Sequence, residues 1–155
     1  MTKDEATQER IKELLEYQNG NLYWKTSRKN WIKSGQLAGS ISSNGYINIR
    51  IDNKMYKAHR IIFMYHHGFY PEMVDHINGV KTDNRIENLR ACTRSQNLQN
   101  RHHLDEKRNT YKKNGRFGVT LTINKKQLHL GYFDTQEKAS LVAKEARKQY
   151  FGEFA

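Results

Sequence analysis

Apolar residues along this chain follow two rhythms, one helical and one alternating, and the rhythm switches several times. Ile11, Leu14 and Leu15 stand at helical spacing among charges, which predicts a short amphipathic helix within residues 4–17. Gln18-Asn19-Gly20-Asn21 stops it, and Leu22-Tyr23-Trp24-Lys25 reads as a short strand followed by a basic loop with Lys25, Arg28, Lys29 and Lys33. Tyr46, Ile47, Ile49 and Ile51 then predict a strand, Asp52-Asn53-Lys54 a turn, and Met55 to Ala58 the returning strand. From His59 the run HRIIFMYHHG suits a buried helix closed by Gly68, with the only proline, Pro71, just beyond.

The next stretch reads as strand, polar loop, strand, helix. Met73 to Ile77 is the first strand, Asn78 to Asn88 the loop, and Leu89 to Cys92 the return. Thr93-Arg94-Ser95-Gln96 has the spacing of a capping box, so Asn97 falls in the first turn of the helix that follows. Arg101 to Gly115 lacks apolar periodicity and reads as a linker. Phe117, Val119, Leu121 and Ile123 alternate with small or polar residues, a turn at Asn124-Lys125-Lys126 follows, and Leu128, Leu130 and Tyr132 complete a second hairpin. Asp134-Thr135-Gln136-Glu137 opens a last helix whose apolar face is Ala139, Val142, Ala143, Ala146 and Tyr150, with Lys138, Lys144, Arg147 and Lys148 largely off it. Tyr132, Phe133, Tyr150 and Phe151 are expected in the core of this small unit.

Charge points to a partner. The 155 residues carry 27 Lys plus Arg against 16 Asp plus Glu, a formal net charge of +11. Such a balance argues for a polyanion, foremost the phosphates of a nucleic acid. Mean hydropathy is −0.96, and no apolar run approaches the roughly 18 to 20 residues that span a bilayer. The first ten residues, MTKDEATQER, hold no apolar segment of a secretory signal. A lone cysteine, Cys92, excludes an internal disulfide framework and a Cys-rich zinc finger, and fits a reducing compartment. A soluble, cytoplasmic protein without a membrane partner or an obligate protein partner is expected.

The chemistry-bearing stretch is Asp75-His76, followed by Asn84, Asn88 and Asn97. Adjacent strand residues point to opposite faces, so Asp75 and His76 share a side only if the strand twists or ends there. A carboxylate and an amide oxygen form a hard, incomplete ligand set suited to Mg2+ or Mn2+ that keeps several waters. His76 is the nearby side chain that titrates around neutrality, the natural base for an attacking water. These are the parts for phosphodiester hydrolysis. The plain alternative is a hydrogen-bonded surface histidine and an ordinary helix-end asparagine.

The run AHRIIFMYHHGFYPEMVDHINGVKTDNRIENLRACTRSQNLQN, residues 58–100, resembles the phage and intron-associated HNH endonucleases. The resemblance implies an α+β chain with a ββα-metal (His-Me finger) core, preceded by a β-hairpin and helix. It implies Asp75 and Asn97 as metal ligands, His76 as general base, and Asn88 as the middle residue that braces the loop. Asp75 and Asn97 stand where other branches use histidines, and an oxygen-only pair favours magnesium or manganese over zinc. The segment from Gly115 to Ala155 is similar to the Apetala2-type DNA-binding domain, a three-stranded sheet on one helix. The anchors are Leu130 to Thr135 and Tyr150 to Ala155.

The two resemblances imply a nuclease domain over 1–108, a DNA-binding domain over 109–155, and double-stranded DNA as partner. Arg60, Arg94, Arg116, Thr120, Thr122 and Lys125 become candidate DNA contacts. Products with a 5′ phosphate and a 3′ hydroxyl, and a homing or phage-genome role, in the host cytoplasm if phage-encoded, are implied by the resemblance alone. Two alternatives stay open: a non-cleaving DNA-binding protein on a degenerate HNH scaffold, and a nuclease acting on RNA. His59 is read as structural, the pairs His66-His67 and His102-His103 as unsuited to zinc, and Cys92 as a small buried hydrophobe. Trp24 and Trp31 are read equally as core aromatics or as part of a phosphate-tracking loop.

Overall fold

The computed structural model describes residues 5–27, 31–100, 107 and 109–152, and the chain separates into two compact units, Met1–Thr93 and Arg94–Ala155. Helix α1 (Gln8–Leu14) is capped by Thr7, whose hydroxyl accepts the Arg10 N–H at 3.3 Å. The helix is shorter than its apolar spacing predicts. Leu15 turns extended (φ −128°) and opens β1 (Leu15–Gln18), which pairs antiparallel with β2 (Asn21–Trp24). Ile11, Leu14 and Leu15 are all buried, so burial of those three outweighs continuation of the helix. Between β1 and β2, Asn19 and Gly20 both take positive φ, 50° and 86°. A Cβ on Gly20 would lie 2.8 Å from the Arg85 backbone nitrogen, so this turn approaches a later loop as only glycine allows.

Strands β3 (Ser40–Ile41), β4 (Ile47–Ile51) and β5 (Lys54–Lys57) form a sheet ordered β3-β4-β5, with Asp52 and Asn53 turning the β4–β5 hairpin at φ 45° and 66°. Helix α2 (Ala58–His67) follows and ends on Gly68 in the left-handed conformation. Its Ile61, Ile62, Phe63 and Met64 join Ile11, Leu15, Ile49 and Ile51 in the first unit's core. Strands β6 (Met73–His76) and β7 (Leu89–Cys92) then pair antiparallel, with a 3-10 turn at Ile86–Asn88 before β7. Trp24 is buried and Trp31 is 68% exposed, so only the first of the two is a core residue. Arg28 and Lys29 lie outside the described residues. Cys92 is buried, and burial raises its thiol to about 11, as for a small inert hydrophobe.

The second unit opens with α3 (Arg94–Asn100), so the order along the chain is β6, β7, α3. His102, His103 and about half of the expected linker lie outside the described residues. Part of that linker is a strand: β8 (Thr110–Lys113) pairs with β9 (Arg116–Ile123), which pairs with β10 (Lys126–Phe133). β8 is an edge strand held by backbone pairing, with only Thr110 part-buried, so it leaves no apolar alternation to read. Helix α4 (Gln136–Phe151) packs Ala139 and Ala143 against Val119. Its cap is Thr135, which accepts the Lys138 N–H at 3.3 Å, one residue later than the expected Asp134–Glu137 box. Three further expectations are corrected. Arg147 is buried and its guanidinium donates to Asn109 at 3.4 Å, while Tyr150 is 47% and Tyr132 39% exposed rather than in the core. No helix among the described residues is long and apolar enough to cross a membrane.

Candidate active site

Asp75 and His76 end β6 side by side, and each is held differently. Cross-strand register sets Asp75 opposite Arg90 and His76 opposite Leu89. The Arg90 guanidinium donates twice to Asp75 Oδ2, at 3.1 and 3.0 Å, in a pair that is almost wholly buried. His76 looks instead into the loop that follows. Asn84 Oδ1, an acceptor only, faces His76 Nε2 at 2.9 Å, which selects the tautomer with its proton on Nε2. Asn84 is 1% exposed, and its Nδ2 is buried with no hydrogen-bond partner among the described residues.

The loop is a compact polar knot. Asn88 Oδ1 accepts the Asn78 N–H at 3.0 Å, while Asn88 Nδ2 donates to Asn78 Oδ1 at 3.0 Å and to the Asp83 carbonyl at 2.7 Å. One side chain thus ties the loop's two ends. Asn78 Nδ2 donates to Asp83 Oδ2 at 2.7 Å, and Arg85 grips the Asp83 carboxylate with two donors at 2.8 Å, which holds that carboxyl well below its ordinary range. Support comes from the first hairpin, where the Tyr17 hydroxyl accepts the Ile86 N–H at 3.0 Å.

Behind His76 lies an aromatic wall. His59 packs edge-on against His76 with centroids 5.0 Å apart, and the Tyr46 ring lies 5.2 Å from His59 and 6.1 Å from His76. Burial, with the neighbouring His76 imidazole and the positive charges of Lys57 and Arg60, lowers His59 to about 3. His59 is therefore a neutral packing group. Burial also lowers His76 below its ordinary value, although Asn84, Asp75 and Asp83 pull the other way. A neutral imidazole able to accept a proton results. Lys57 and Lys81 place their ammonium groups 4.4 and 5.0 Å from the Tyr46 ring centre, so this edge of the site carries positive charge.

Residues 56–99 match the model of the HNH endonuclease family. The match covers a little over a quarter of the chain, from β5 into α3, and contains every polar residue of the site just described except Tyr17 and Tyr46. An HNH segment is a nuclease segment acting on nucleic acid. The chain matches no curated protein and no solved structure.

Within the HNH segment, Asp75, His76 and Asn88 lie in one unit within one hairpin and its loop. Asn97 lies in α3, part-buried, in the other unit. Among the described residues no cluster of three or more His, Cys, Asp or Glu could cage a metal ion. The donor set is one buried carboxylate with amide oxygens nearby in sequence, and this fits a hard cation that keeps most of its waters. His66 and His67 share no such cluster. Of the expected DNA contacts, Arg60 donates to the Pro71 and Glu72 carbonyls at 3.2 and 3.3 Å, and so braces the approach to β6. Arg94, Thr122 and Lys125 are exposed, Thr120 is part-buried, and Arg116 pairs with Asp134 at 3.3 Å on the surface. Sequence reading placed Asn84 among the chemistry-bearing residues without giving it a role, and it passed over Arg90, which becomes visible once the β6–β7 register is known.

Proposed function

We propose that the chain is a metal-dependent endonuclease that hydrolyses DNA phosphodiester bonds, leaving a 5′ phosphate and a 3′ hydroxyl. The observation that carries this reading is the fixing of His76. A buried asparagine occupies one ring nitrogen, a braced loop and an aromatic wall hold the plane, and an acidic residue stands next to it, all inside the HNH match. His76, its ring held by Asn84, takes the proton of the attacking water. Asn84 is the residue that positions that base, and Asn88 holds the loop that carries Asn84.

Asp75 and Asn97 are the residues that would hold Mg2+ or Mn2+, and such an ion supplies charge neutralisation at the phosphate and stabilises the leaving 3′ oxygen. Arg90 holds the Asp75 carboxylate aimed within the hairpin. Lys57 and Lys81 add positive potential, and Arg94 contacts backbone phosphate. Residues 1–108 form the nuclease domain in this reading, and residues 109–155 an Apetala2-like module that grips DNA through Arg116, Thr120, Thr122 and Lys125.

Supercoiled plasmid incubated with the protein in magnesium should convert to nicked or linear forms, and chelator should stop the conversion. Hydrolysis undiminished in excess chelator would rule out the metal, and cleavage confined to RNA in a parallel digestion would rule out DNA as substrate.

A further inference from the structure

The sheet of the second unit has one face on α4 and one face that nothing among the described residues covers. Val119 and Leu121 point to the helix and are fully buried, so Gly118, between them and Phe117, points outward. Tyr111 on β8 and Tyr132 on β10 stand directly opposite Gly118 on either side. The row is Tyr111–Gly118–Tyr132, and the glycine is a requirement of it. A Cβ there would fall 2.7 Å from the Tyr111 hydroxyl oxygen and closer still to the ring, so any side chain would lift that ring off the sheet.

Tyr132 reaches this face through a bulge. The β9–β10 register slips between His129 and Gly131, and the extra residue puts Tyr132 on the same side as His129. His129 and Tyr132 lie 4.7 Å apart between centroids, and Tyr111 meets Tyr132 at 6.2 Å and 80°. The Tyr111 hydroxyl donates to that of Tyr132 at 3.3 Å. Both tyrosines are 39% exposed. Three linked rings form a tilted platform facing solvent.

The charge on the strands is of one sign, and Arg116 also meets Asp134, just beyond β10, at 3.3 Å. The three strands hold no acidic residue, and Lys113 and Arg116 pair across β8 and β9 at one end of the same face. Rings with accessible π faces beside cations complement bases that are themselves unstacked, on a phosphate backbone. Bases within a duplex have their faces covered, and reading a groove calls for free hydrogen-bonding ends rather than hydroxyls tied to each other.

We propose that this outer face binds single-stranded nucleic acid, with an unpaired base stacked on Tyr111, His129 and Tyr132 and its phosphates on Lys113 and Arg116. The proposal rests on the reading of this sheet as a nucleic-acid surface and narrows its ligand to the unpaired form.

The test is fluorescence anisotropy on the full-length chain, in chelator, with labelled oligothymidylate and a labelled duplex of equal length. Wild type should bind the single strand more tightly. Tyr132→Ala should lose about 5- to 150-fold of that affinity, the range for one stacked base, with duplex binding unchanged. Tyr132→Phe should retain it, because the ring and not the hydroxyl carries the stack. Gly118→Ala, which keeps every ring but displaces Tyr111, should also lose single-strand affinity. Circular dichroism establishes that each variant is folded. Equal losses on both ligands, or none in folded Tyr132→Ala and Gly118→Ala, would overturn the proposal. If the double variant Lys113→Ala, Arg116→Ala bound both ligands as wild type does, the nucleic-acid reading of the sheet would itself fall.

Discussion

Polar residues are treated in opposite ways in the two units. Around the β6–β7 loop, Asp75, His76, Asn84 and Asn88 are all buried, and each has a named partner at hydrogen-bond distance. On the outer face of the β8–β10 sheet, Tyr111, His129 and Tyr132 are exposed and touch chiefly one another. The first arrangement suits chemistry, because a base works only if its ring, tautomer and water-facing nitrogen are set in advance. The second suits capture of a flexible polymer, because a stacking partner must be able to reach the ring. Burial and preorganisation serve one purpose, exposure the other.

The largest expected effect separates these two roles. His76→Ala should lower the cleavage rate by at least about 100-fold, the scale of a lost general base, while affinity for DNA stays the same. Cleavage at the wild-type rate would remove His76 from the mechanism and erase the contrast with the sheet.

A second prediction concerns the cost of the buried site. His59 titrates near 6.5 when unfolded and at about 3 when folded, so below pH 6.5 the unfolded chain binds a proton that the folded chain refuses. Stability therefore rests on pH above 6.5 and is lost as pH falls toward 3. Between pH 7 and 5 the loss should be about 2 kcal/mol. The tryptophans, Trp24 and Trp31, both lie in the first unit, so denaturant melts followed by their fluorescence report on the right part. His59→Phe should flatten that slope, and an unchanged slope would show that His59 is not buried uncharged.

Next in size is Asn84→Ala. Releasing Nε2 should lower single-turnover cleavage by about tenfold, part of the whole effect of the base. The 15N signals of His76 should also change from the Nε2–H form to a tautomer mixture. A wild-type spectrum in the variant would mean that the loop backbone alone orients the ring.

The smallest effect falls on the sheet. Lys125 sits at φ 66°, where a side chain is strained. Lys125→Gly should raise stability by no more than about 1 kcal/mol, and in the same protein flatten the dependence of log affinity on log salt by roughly 0.9 if that lysine meets duplex phosphate. A stabilised variant with an unaltered salt slope would confine Lys125 to turn geometry.

Much of the local structure was legible before any coordinates. Asp52-Asn53 and Asn124-Lys125 announce tight hairpin turns because few residues tolerate positive φ, and both take it. Gly68 after an apolar run announces a helix end in the same way. Asp75-His76 followed by spaced asparagines announced a candidate site because few residue types do hydrolytic chemistry. What misled was always a matter of partners. Leu15 looks helical by spacing but is buried from a strand, and Arg147 looks solvated by type but is buried beside Asn109.

Sequence by itself therefore determined the basic charge, the alternation of hairpins and helices, and the residue types available for chemistry, since these follow from composition and from the conformations each residue tolerates. Tertiary structure alone decided which asparagine touches the histidine, that Arg90 lies against Asp75, and that a bulge turns Tyr132 to solvent beside Tyr111. The physical reason is register. A one-residue shift in strand pairing exchanges faces and neighbours without altering any local pattern, so such choices are settled only when distant segments pack together.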